Sequence, residues 1–224
     1  MGFEEFVLAA VTADLSVEPA AREHADAVEF RLDLADDGRA RLDAYDGDLP
    51  LLVTNRVEWE GGEAADEPAR IEALERAVEH PAVEAVDVEL AAVRTGDYAL
   101  LEHARTHDVA VVVSVHDFEE TPERGTLSAL LTEAAELGDV GKLAVTAETR
   151  GDVLALLSAT HEATAAGERV ATMAMGEAGR HSRAVAPLYG SRIGYAPIDP
   201  GDATAPGQYD LATLRRLIDQ LQRE

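Results

Sequence analysis

The sequence contains no cysteine, which excludes disulfides, thiolate catalysis and cysteine metal sites. Aromatic residues make up only 4% of the 224 residues, so a core must be built mainly from Val, Leu, Ile and Ala. No apolar run approaches the roughly 18 residues of a membrane span. The N-terminal MGFEEF lacks the basic and apolar regions of a signal peptide. We therefore expect a cytoplasmic protein with no membrane partner.

Positive charge is also scarce. The chain has 44 Asp and Glu against 19 Lys and Arg, a formal net charge of −25. Such a surface repels nucleic acid and anionic lipid, so neither is an expected partner. The acidic residues are spread along the whole chain, which favours adaptation to a salt-rich cytoplasm over a local acidic tail. The alternative is an acidic partner-binding protein.

Lysine is the rarest of the basic residues. Arginine accounts for 18 of the 19, and Lys142 is the only lysine in the sequence. Arginine can replace lysine on a surface, but its guanidinium stays protonated and cannot attack a carbonyl carbon. The bias against lysine therefore leaves two readings of Lys142, the chance survival of a surface residue or a retained nucleophile.

Apolar runs of strand length alternate with amphipathic stretches along the chain. We predict eight strands, near 6–13, 27–34, 49–56, 83–90, 109–116, 141–147, 169–175 and 192–197. Continuous β-branched runs such as VAVVVSV are typical of parallel strands buried on both faces. We predict helices over 69–79, 122–137 (with Thr121 as N-cap and Pro122 at N1), 150–165 and 210–221, and a short one within 36–46.

Eight strand-then-helix units in one chain predict an α/β fold, a single (β/α)8 TIM barrel of parallel strands spanning residues 1–224 as one catalytic domain. The alternative is an open doubly wound sheet, but no G-x-G-x-x-G follows the first strand. A Pro/Gly-rich segment, 199–208, follows the eighth strand, and we expect it to be a mobile loop.

Charged residues occur inside several of the predicted strands. Glu29, Arg31 and Asp33 alternate, as do Asp87 and Glu89, so each set is expected on one face of its strand. Charges buried in a barrel lumen are costly unless they serve a site. The alternative is a layer of satisfied ion pairs at the top of the barrel.

Lys142 and His116 are the strongest candidates for chemistry. Lys142 begins an apolar strand, and a lysine in a desolvated site beside Arg31, Arg56 or Arg183 would become a neutral nucleophile. His116 ends the preceding strand, VVVSVH, where a histidine either packs in the core or serves as general acid and base.

Two other motifs carry weaker signals. His103 and His107 are four residues apart but lie in a solvated helical segment with no third ligand, so we predict no metal site. MGEAGRHSR, residues 175–183, has glycines before a helix, a weak phosphate-loop signal in which Arg183 could hold a carboxylate.

The motifs, in order along the chain, resemble those of type I 3-dehydroquinate dehydratase. They are EFRLD (29–33), TNRVEWEGG (54–62), DVEL (87–90), SVHDF (114–118), GKLA (141–144), MGEAGRHSR (175–183), YGS (189–191) and TAPGQ (204–208).

The resemblance implies syn elimination of water from 3-dehydroquinate, without metal or organic cofactor. The resemblance assigns Lys142 the imine, His116 the proton transfer and Glu60 the orientation of that histidine. It assigns the substrate contacts to Glu29, Arg31, Arg56, Arg183, Thr204 and Gln208. At the start of the closing-loop motif, Thr204 stands where the family usually has Ser.

The resemblance also suggests a homodimer, since the family often forms dimers. Two alternatives stay open. One is a Schiff-base (class I) aldolase or transaldolase, and the other is a catalytically silent barrel that binds carboxylates.

Overall fold

The computed structural model of the chain describes residues 1–96, 98–199, 201 and 203–222. Eight strands alternate with helices: β1 Val7–Thr12, β2 Ala27–Arg31, β3 Leu51–Thr54, β4 Val83–Glu89, β5 Ala110–Asp117, β6 Val140–Thr146, β7 Val170–Met175 and β8 Ile193–Pro197. The helices are α1 Glu18–Ala21, α2 Gly38–Asp43, α3 Glu67–Val78, α4 Leu90–Thr95, α5 Tyr98–Thr106, α6 Arg124–Leu137, α7 Arg150–Ala165, α8 Gly176–Gly179, α9 Ser182–Val185 and α10 Leu211–Gln222. Short 3-10 helices cover Leu15–Val17, Leu32–Leu34, Glu58–Glu60 and Ala186–Tyr189.

The strands form one parallel sheet in the order β7-β6-β5-β4-β3-β2-β1-β8. The sheet curls until β7 and β8 meet. At this seam a single parallel bridge joins Val170 to Ser191, and the Arg192 amide donates to the Val170 carbonyl at 2.7 Å. The seam is reinforced by the Ser191 hydroxyl, which accepts from the Thr172 amide at 3.0 Å. The predicted (β/α)8 barrel is therefore confirmed.

Two apolar layers surround the sheet. Small and branched side chains, including Ala9, Ala85, Val112 and Ala171, fill the lumen. Outside, the helices pack on the opposite face of the same strands, for example through Leu131 of α6. Because both faces of every strand are covered, the continuous apolar runs of the sequence are explained.

The ends of several helices follow from local side-chain chemistry. The Thr149 hydroxyl accepts from the Asp152 amide, and the Asp152 carboxylate accepts from the Thr149 amide at 2.7 Å. This reciprocal capping box starts α7 at Arg150, where the sequence predicts it. Asp66 caps α3 by accepting from the Ala69 amide at 3.0 Å.

Three local predictions are wrong. β2 ends at Arg31, so Asp33 lies in a 3-10 helix instead of the strand. α6 begins at Arg124, because the Thr121 hydroxyl donates to the Thr146 carbonyl instead of capping the helix. Arg183 lies inside the four-residue α9 rather than before a longer helix.

Among the described residues, no helix is both long enough and apolar enough to cross a bilayer. Residues 200 and 202 of the predicted mobile loop, 199–208, lie outside the described residues.

Candidate active site

A pocket opens at the end of the barrel where the strands terminate, which is where TIM barrels place their chemistry. Its volume is about 510 Å³, counted with the space at its mouth. The structure brings all nine sequence-predicted site residues into its lining: Glu29, Arg31, Arg56, Glu60, His116, Lys142, Arg183, Thr204 and Gln208. Their individual roles stay predictions at this point.

Lys142 projects into the lumen from the third position of β6 and is only 4% exposed. Its Nζ lies 2.8 Å from Oδ2 of Asp87 and 4.0 Å from Oε1 of Glu29. The ring of Tyr195 covers it, with the ring centroid 4.3 Å from Nζ. The reading of Lys142 as a leftover surface lysine is therefore wrong. Its closest charged contact is a carboxylate, which the sequence analysis did not foresee.

Asp87 belongs to a buried network of opposite charges. Arg56 donates to Asp87 from one terminal nitrogen at 2.6 Å and to Glu89 from the other at 2.6 Å. The Ser114 hydroxyl donates to Asp87 at 2.6 Å and accepts from Arg56 at 2.8 Å. Burial acts to raise the pKa of Asp87, but the charges of Arg56 and Lys142 outweigh it and hold that pKa below its usual range. Asp87 is therefore a fixed negative charge beside the Lys142 amine.

Arg70 extends this network outward to α3. It is fully buried, and one terminal nitrogen lies 2.6 Å from Oε2 of Glu89 while the other lies 2.6 Å from Glu67. It also donates to the Asn55 carbonyl at 3.2 Å. The chain of charges from α3 to Lys142 thus anchors a helix to the floor of the pocket.

His116 and Glu60 form the second functional group of the pocket. His116 is the penultimate residue of β5, and Glu60 ends a 3-10 helix that follows β3. Nδ1 of His116 lies 2.9 Å from Oε2 of Glu60, and the same oxygen accepts from the His116 amide at 3.1 Å. This two-point contact fixes the imidazole ring and directs Nε2 away from Glu60.

The surroundings perturb both pKa values of this pair. Burial, reinforced by the charges of Arg56 and Lys142, lowers the pKa of His116 well below 6.5. Burial raises the pKa of Glu60 to about 8, despite the opposing charge of Arg56. A neutral imidazole whose Nδ1 is held by a carboxyl group has Nε2 available to act as a general base.

Glu29 and Arg31 face the lumen from β2, as the alternation predicts. Glu29 accepts from the Thr54 hydroxyl at 2.8 Å. Asp33, beyond the strand, still contacts Arg31 through two hydrogen bonds, of 2.8 Å and 2.5 Å. This bidentate pair holds the Arg31 guanidinium at the pocket wall. Burial acts to lower the pKa of Arg31, but the Asp33 pair outweighs it and raises that pKa.

Arg183 carries the least compensated charge in the pocket. It is buried, and within the described residues no carboxylate lies within 4.0 Å of it. Its one hydrogen bond goes to the Pro206 carbonyl at 3.3 Å, and its Nε has no partner in the described part of the chain. Burial alone lowers its pKa to about 10. A buried guanidinium without a counter-ion can be compensated by an anion that binds beside it.

The loop after β8 covers one side of the pocket. The Gln208 side-chain oxygen accepts from the amides of Thr204 and Ala205 at 2.9 and 3.3 Å. Gly207 has φ of +78°, and a Cβ there would lie 2.5 Å from the Gly176 carbonyl oxygen. Only glycine therefore allows this loop to seat against the end of β7.

The two weaker motifs show no independent site. The rings of His103 and His107 contact each other at a tilt, with centroids 4.4 Å apart, and the described residues contain no group of three His, Asp or Glu placed to hold a metal. In MGEAGRHSR the glycine-rich part forms the four-residue α8, and the segment lines the pocket through Met175 and Arg183.

Several residues in or beside the pocket were not predicted as site residues. Asp87 was predicted only as a lumen charge; it lies outside the pocket lining, and its contact with Lys142 joins β4 to β6. Tyr195 lies in β8, where nothing in the local sequence marks it. The remaining lining residues are Thr54, Gly61, Phe118, Ala144, Met173, Met175 and Ala205. Met173 and Met175 alternate on β7, which was the available signal for their shared face.

The pocket therefore combines an amine, an imidazole with a carboxyl partner and an uncompensated guanidinium. The amine can add to a ketone, the imidazole can move a proton from the adjacent carbon, and the guanidinium can hold a carboxylate. Together they suit an elimination on an anionic ketone.

Comparisons with known proteins agree with this chemistry. A family model described as type I 3-dehydroquinase matches residues 9–224. The 3-dehydroquinate dehydratase of Haloarcula marismortui is 62% identical over 228 residues and covers 100% of both chains. That of Halobacterium salinarum is 55% identical over 226 residues, covering 99% of this chain and 100% of the relative.

A solved structure has the same fold. The crystal structure of 3-dehydroquinate dehydratase from Geobacillus kaustophilus superposes with a TM-score of 0.87 at 31% identity. The match covers 98% of this chain and 92% of that one.

Proposed function

The chain belongs to the type I 3-dehydroquinase family, and from that membership we propose that it is a hydro-lyase that eliminates water from 3-dehydroquinate to give 3-dehydroshikimate through an imine on Lys142. One observation carries the proposal. The only lysine of the sequence is buried in the same pocket as the His116–Glu60 pair.

The reaction starts when Nζ of Lys142 adds to the C3 ketone and water leaves, forming the imine. Because the imine accepts electrons, the proton on C2 becomes acidic, and Nε2 of His116 removes it to give an enamine. The enamine electrons then expel the C1 hydroxyl, which takes the proton from His116 and leaves as water. A second water hydrolyses the imine, releasing the enone and the free amine. The net change is the loss of one water.

The other predicted residues hold the substrate during these steps. Arg183 binds the carboxylate, which supplies the counter-ion that its buried guanidinium lacks among the described residues. Glu29, Arg31 and Arg56 bind the ring hydroxyls. Thr204 and Gln208 close over the substrate from the loop after β8.

We propose that the chain, residues 1–224, acts as one catalytic domain.

A class I aldolase would share the imine, but the named relatives are dehydratases. The silent carboxylate-binding barrel would keep Arg183 but would not need the Glu60–His116 contact of 2.9 Å.

The direct test is a dehydration assay that follows the ultraviolet absorbance of the conjugated product. Wild-type protein is expected to turn over 3-dehydroquinate and to leave sugar phosphates uncleaved. Lys142→Arg is expected to be inactive, because the guanidinium cannot form the imine. Turnover by Lys142→Arg, or aldol cleavage by wild type, would reject the proposal.

We further propose a cytoplasmic location, which the strongly acidic composition supports.

We also propose that the protein is a homodimer. Apolar side chains that stay exposed support it: Leu154 on α7, and Leu188 and Tyr189 on the neighbouring 3-10 helix. The molar mass measured by light scattering during size-exclusion chromatography tests the dimer, and the mass of a monomer would rule it out.

A further inference from the structure

Tyr195 has a buried hydroxyl with no hydrogen-bond partner among the described residues. The residue lies in the middle of β8, lines the pocket and is 4% exposed. A buried tyrosine hydroxyl is ordinarily paired, because burying it unpaired loses the hydrogen bonds it makes to water. The missing partner is therefore expected to be a molecule that enters the pocket.

The neighbouring strand offers no alternative partner. Tyr195 is in register with Ala9 of β1, and the lumen-facing residues of that strand, Ala9 and Val11, are apolar. On its other side the ring faces Nζ of Lys142, 4.3 Å from the centroid. The ring that carries the hydroxyl is thus in direct contact with the amine that attacks the substrate.

The charge state of the hydroxyl is also set by its surroundings. Burial, reinforced by the carboxylates of Glu29 and Asp87, raises the pKa of Tyr195 well above 10. The phenol therefore keeps its proton at any working pH and can act as a donor. An oxygen atom of the substrate could accept the hydrogen bond that this hydroxyl lacks among the described residues.

We propose that Tyr195 is a substrate-binding residue whose hydroxyl donates a hydrogen bond to the substrate hydroxyl on the carbon next to the ketone, on the side away from the proton that His116 removes. The same substrate hydroxyl donates to Glu29, whose Oε1 lies 4.0 Å from Nζ of Lys142. This assignment rests on the proposed function, because it places the ketone carbon at Nζ. It makes Tyr195 a determinant of specificity for a ketone that carries a hydroxyl on that carbon.

The test is a comparison of Tyr195→Phe with wild type on two substrates. Phenylalanine keeps the ring over Lys142 and removes only the hydroxyl. With 3-dehydroquinate, kcat/KM of the variant is expected to fall about three- to tenfold, as for one neutral hydrogen bond. With the analogue that lacks the adjacent hydroxyl, the variant and wild type are expected to have equal kcat/KM.

Tyr98→Phe is the matched control, since Tyr98 is 51% exposed and lies outside the pocket lining. It is expected to match wild type on both substrates. Equal activity of Tyr195→Phe and wild type on 3-dehydroquinate would overturn the proposal. An equal loss on both substrates would also overturn it, because a general disturbance of the fold acts on both alike.

This outcome is separable from the proposed function itself. If wild type does not dehydrate 3-dehydroquinate, the proposed function fails whatever the variant does. If wild type is active and Tyr195→Phe shows no selective loss, only the assignment of Tyr195 fails.

Discussion

At the scale of single residues, the pocket owes its character to what burial does to charge. Asp87 stays ionised because Arg56 and Lys142 surround it, whereas Arg183 is left without a counter-ion among the described residues. The first arrangement fixes the resting position of the Lys142 amine. The second leaves a buried positive charge that a bound anion would compensate.

The Glu60–His116 pair should give the pH dependence of the reaction. Above a pH of about 8 the Glu60 carboxylate is ionised and accepts a hydrogen bond from Nδ1–H of His116, which leaves Nε2 unprotonated and free to act as base. Below that pH the pair holds one extra proton. His116 itself stays neutral there, because its pKa lies well below 6.5. We therefore expect kcat/KM to rise with pH up to about 8. In the Glu60→Gln variant this increase with pH is expected to disappear.

Glu58→Gln is the control for that profile, since Glu58 is exposed in the same 3-10 helix. It is expected to keep the wild-type limb. A Glu60→Gln variant with an unchanged pH profile would show that another group controls the reaction.

Arg183→Gln should separate binding from stability. Loss of a charged hydrogen-bonded contact to the substrate carboxylate, roughly 1.5–3 kcal/mol, should raise KM about ten- to hundredfold. Removal of a buried charge without a counter-ion should at the same time raise the melting temperature. Kinetics and thermal unfolding measure both effects, and Arg39→Gln, at an exposed site, is the control. An unchanged KM would remove Arg183 from the substrate site.

At the scale of secondary-structure elements, the loop after β8 depends on one close approach. Gly207 has φ of +78°, and the space for a Cβ is occupied by the Gly176 carbonyl. Gly207→Ala must therefore shift the turn that positions Thr204 and Gln208. Since small displacements of substrate-positioning groups cost rate steeply, we expect kcat/KM to fall about tenfold or more.

Gly201→Ala is the matched control for the loop, since no atom of the described residues lies within 4 Å of the position of its Cβ. This variant should behave as wild type in the same assay. If Gly207→Ala is fully active, activity does not depend on the close packing of Gly207 against Gly176. The proposed roles of Thr204 and Gln208 then lose support.

At the scale of the whole molecule, the net charge of −25 opposes compaction in dilute buffer. The Debye length falls from about 10 Å at 0.1 M salt to about 3 Å at 1 M, so added KCl should screen this repulsion. We expect the free energy of unfolding to increase steadily with KCl. Denaturant titrations at several KCl concentrations measure it, with sorbitol as the uncharged control. Equal stability in dilute buffer and in KCl would contradict the salt adaptation.

Much of the architecture could be predicted from the sequence, because it depends on local patterns. Each strand lies within three residues of its predicted bounds, since the runs are apolar on both faces of a covered sheet. The errors occur where a side chain finds a distant partner. Thr121 bonds to Thr146 instead of capping α6, for example.

The composition of the pocket was only partly predictable. Lys142 and His116 could be singled out because each interrupts or ends an apolar strand. The contacts of Lys142 with Asp87 and Tyr195 could not, because they join β6 to β4 and β8, strands that are not its neighbours along the chain. Such contacts depend on shear and register, which no local pattern encodes.

The imine on Lys142 is the central claim, and borohydride reduction in the presence of 3-dehydroquinate tests it most directly. Because the sequence has one lysine, a lysine adduct can form at one position only, and peptide mass mapping separates it from the amine of Met1. The account predicts one reduced adduct on Lys142, loss of activity in parallel, and no adduct in Lys142→Arg. An active enzyme that gives no adduct, or an adduct confined to Met1, would contradict it.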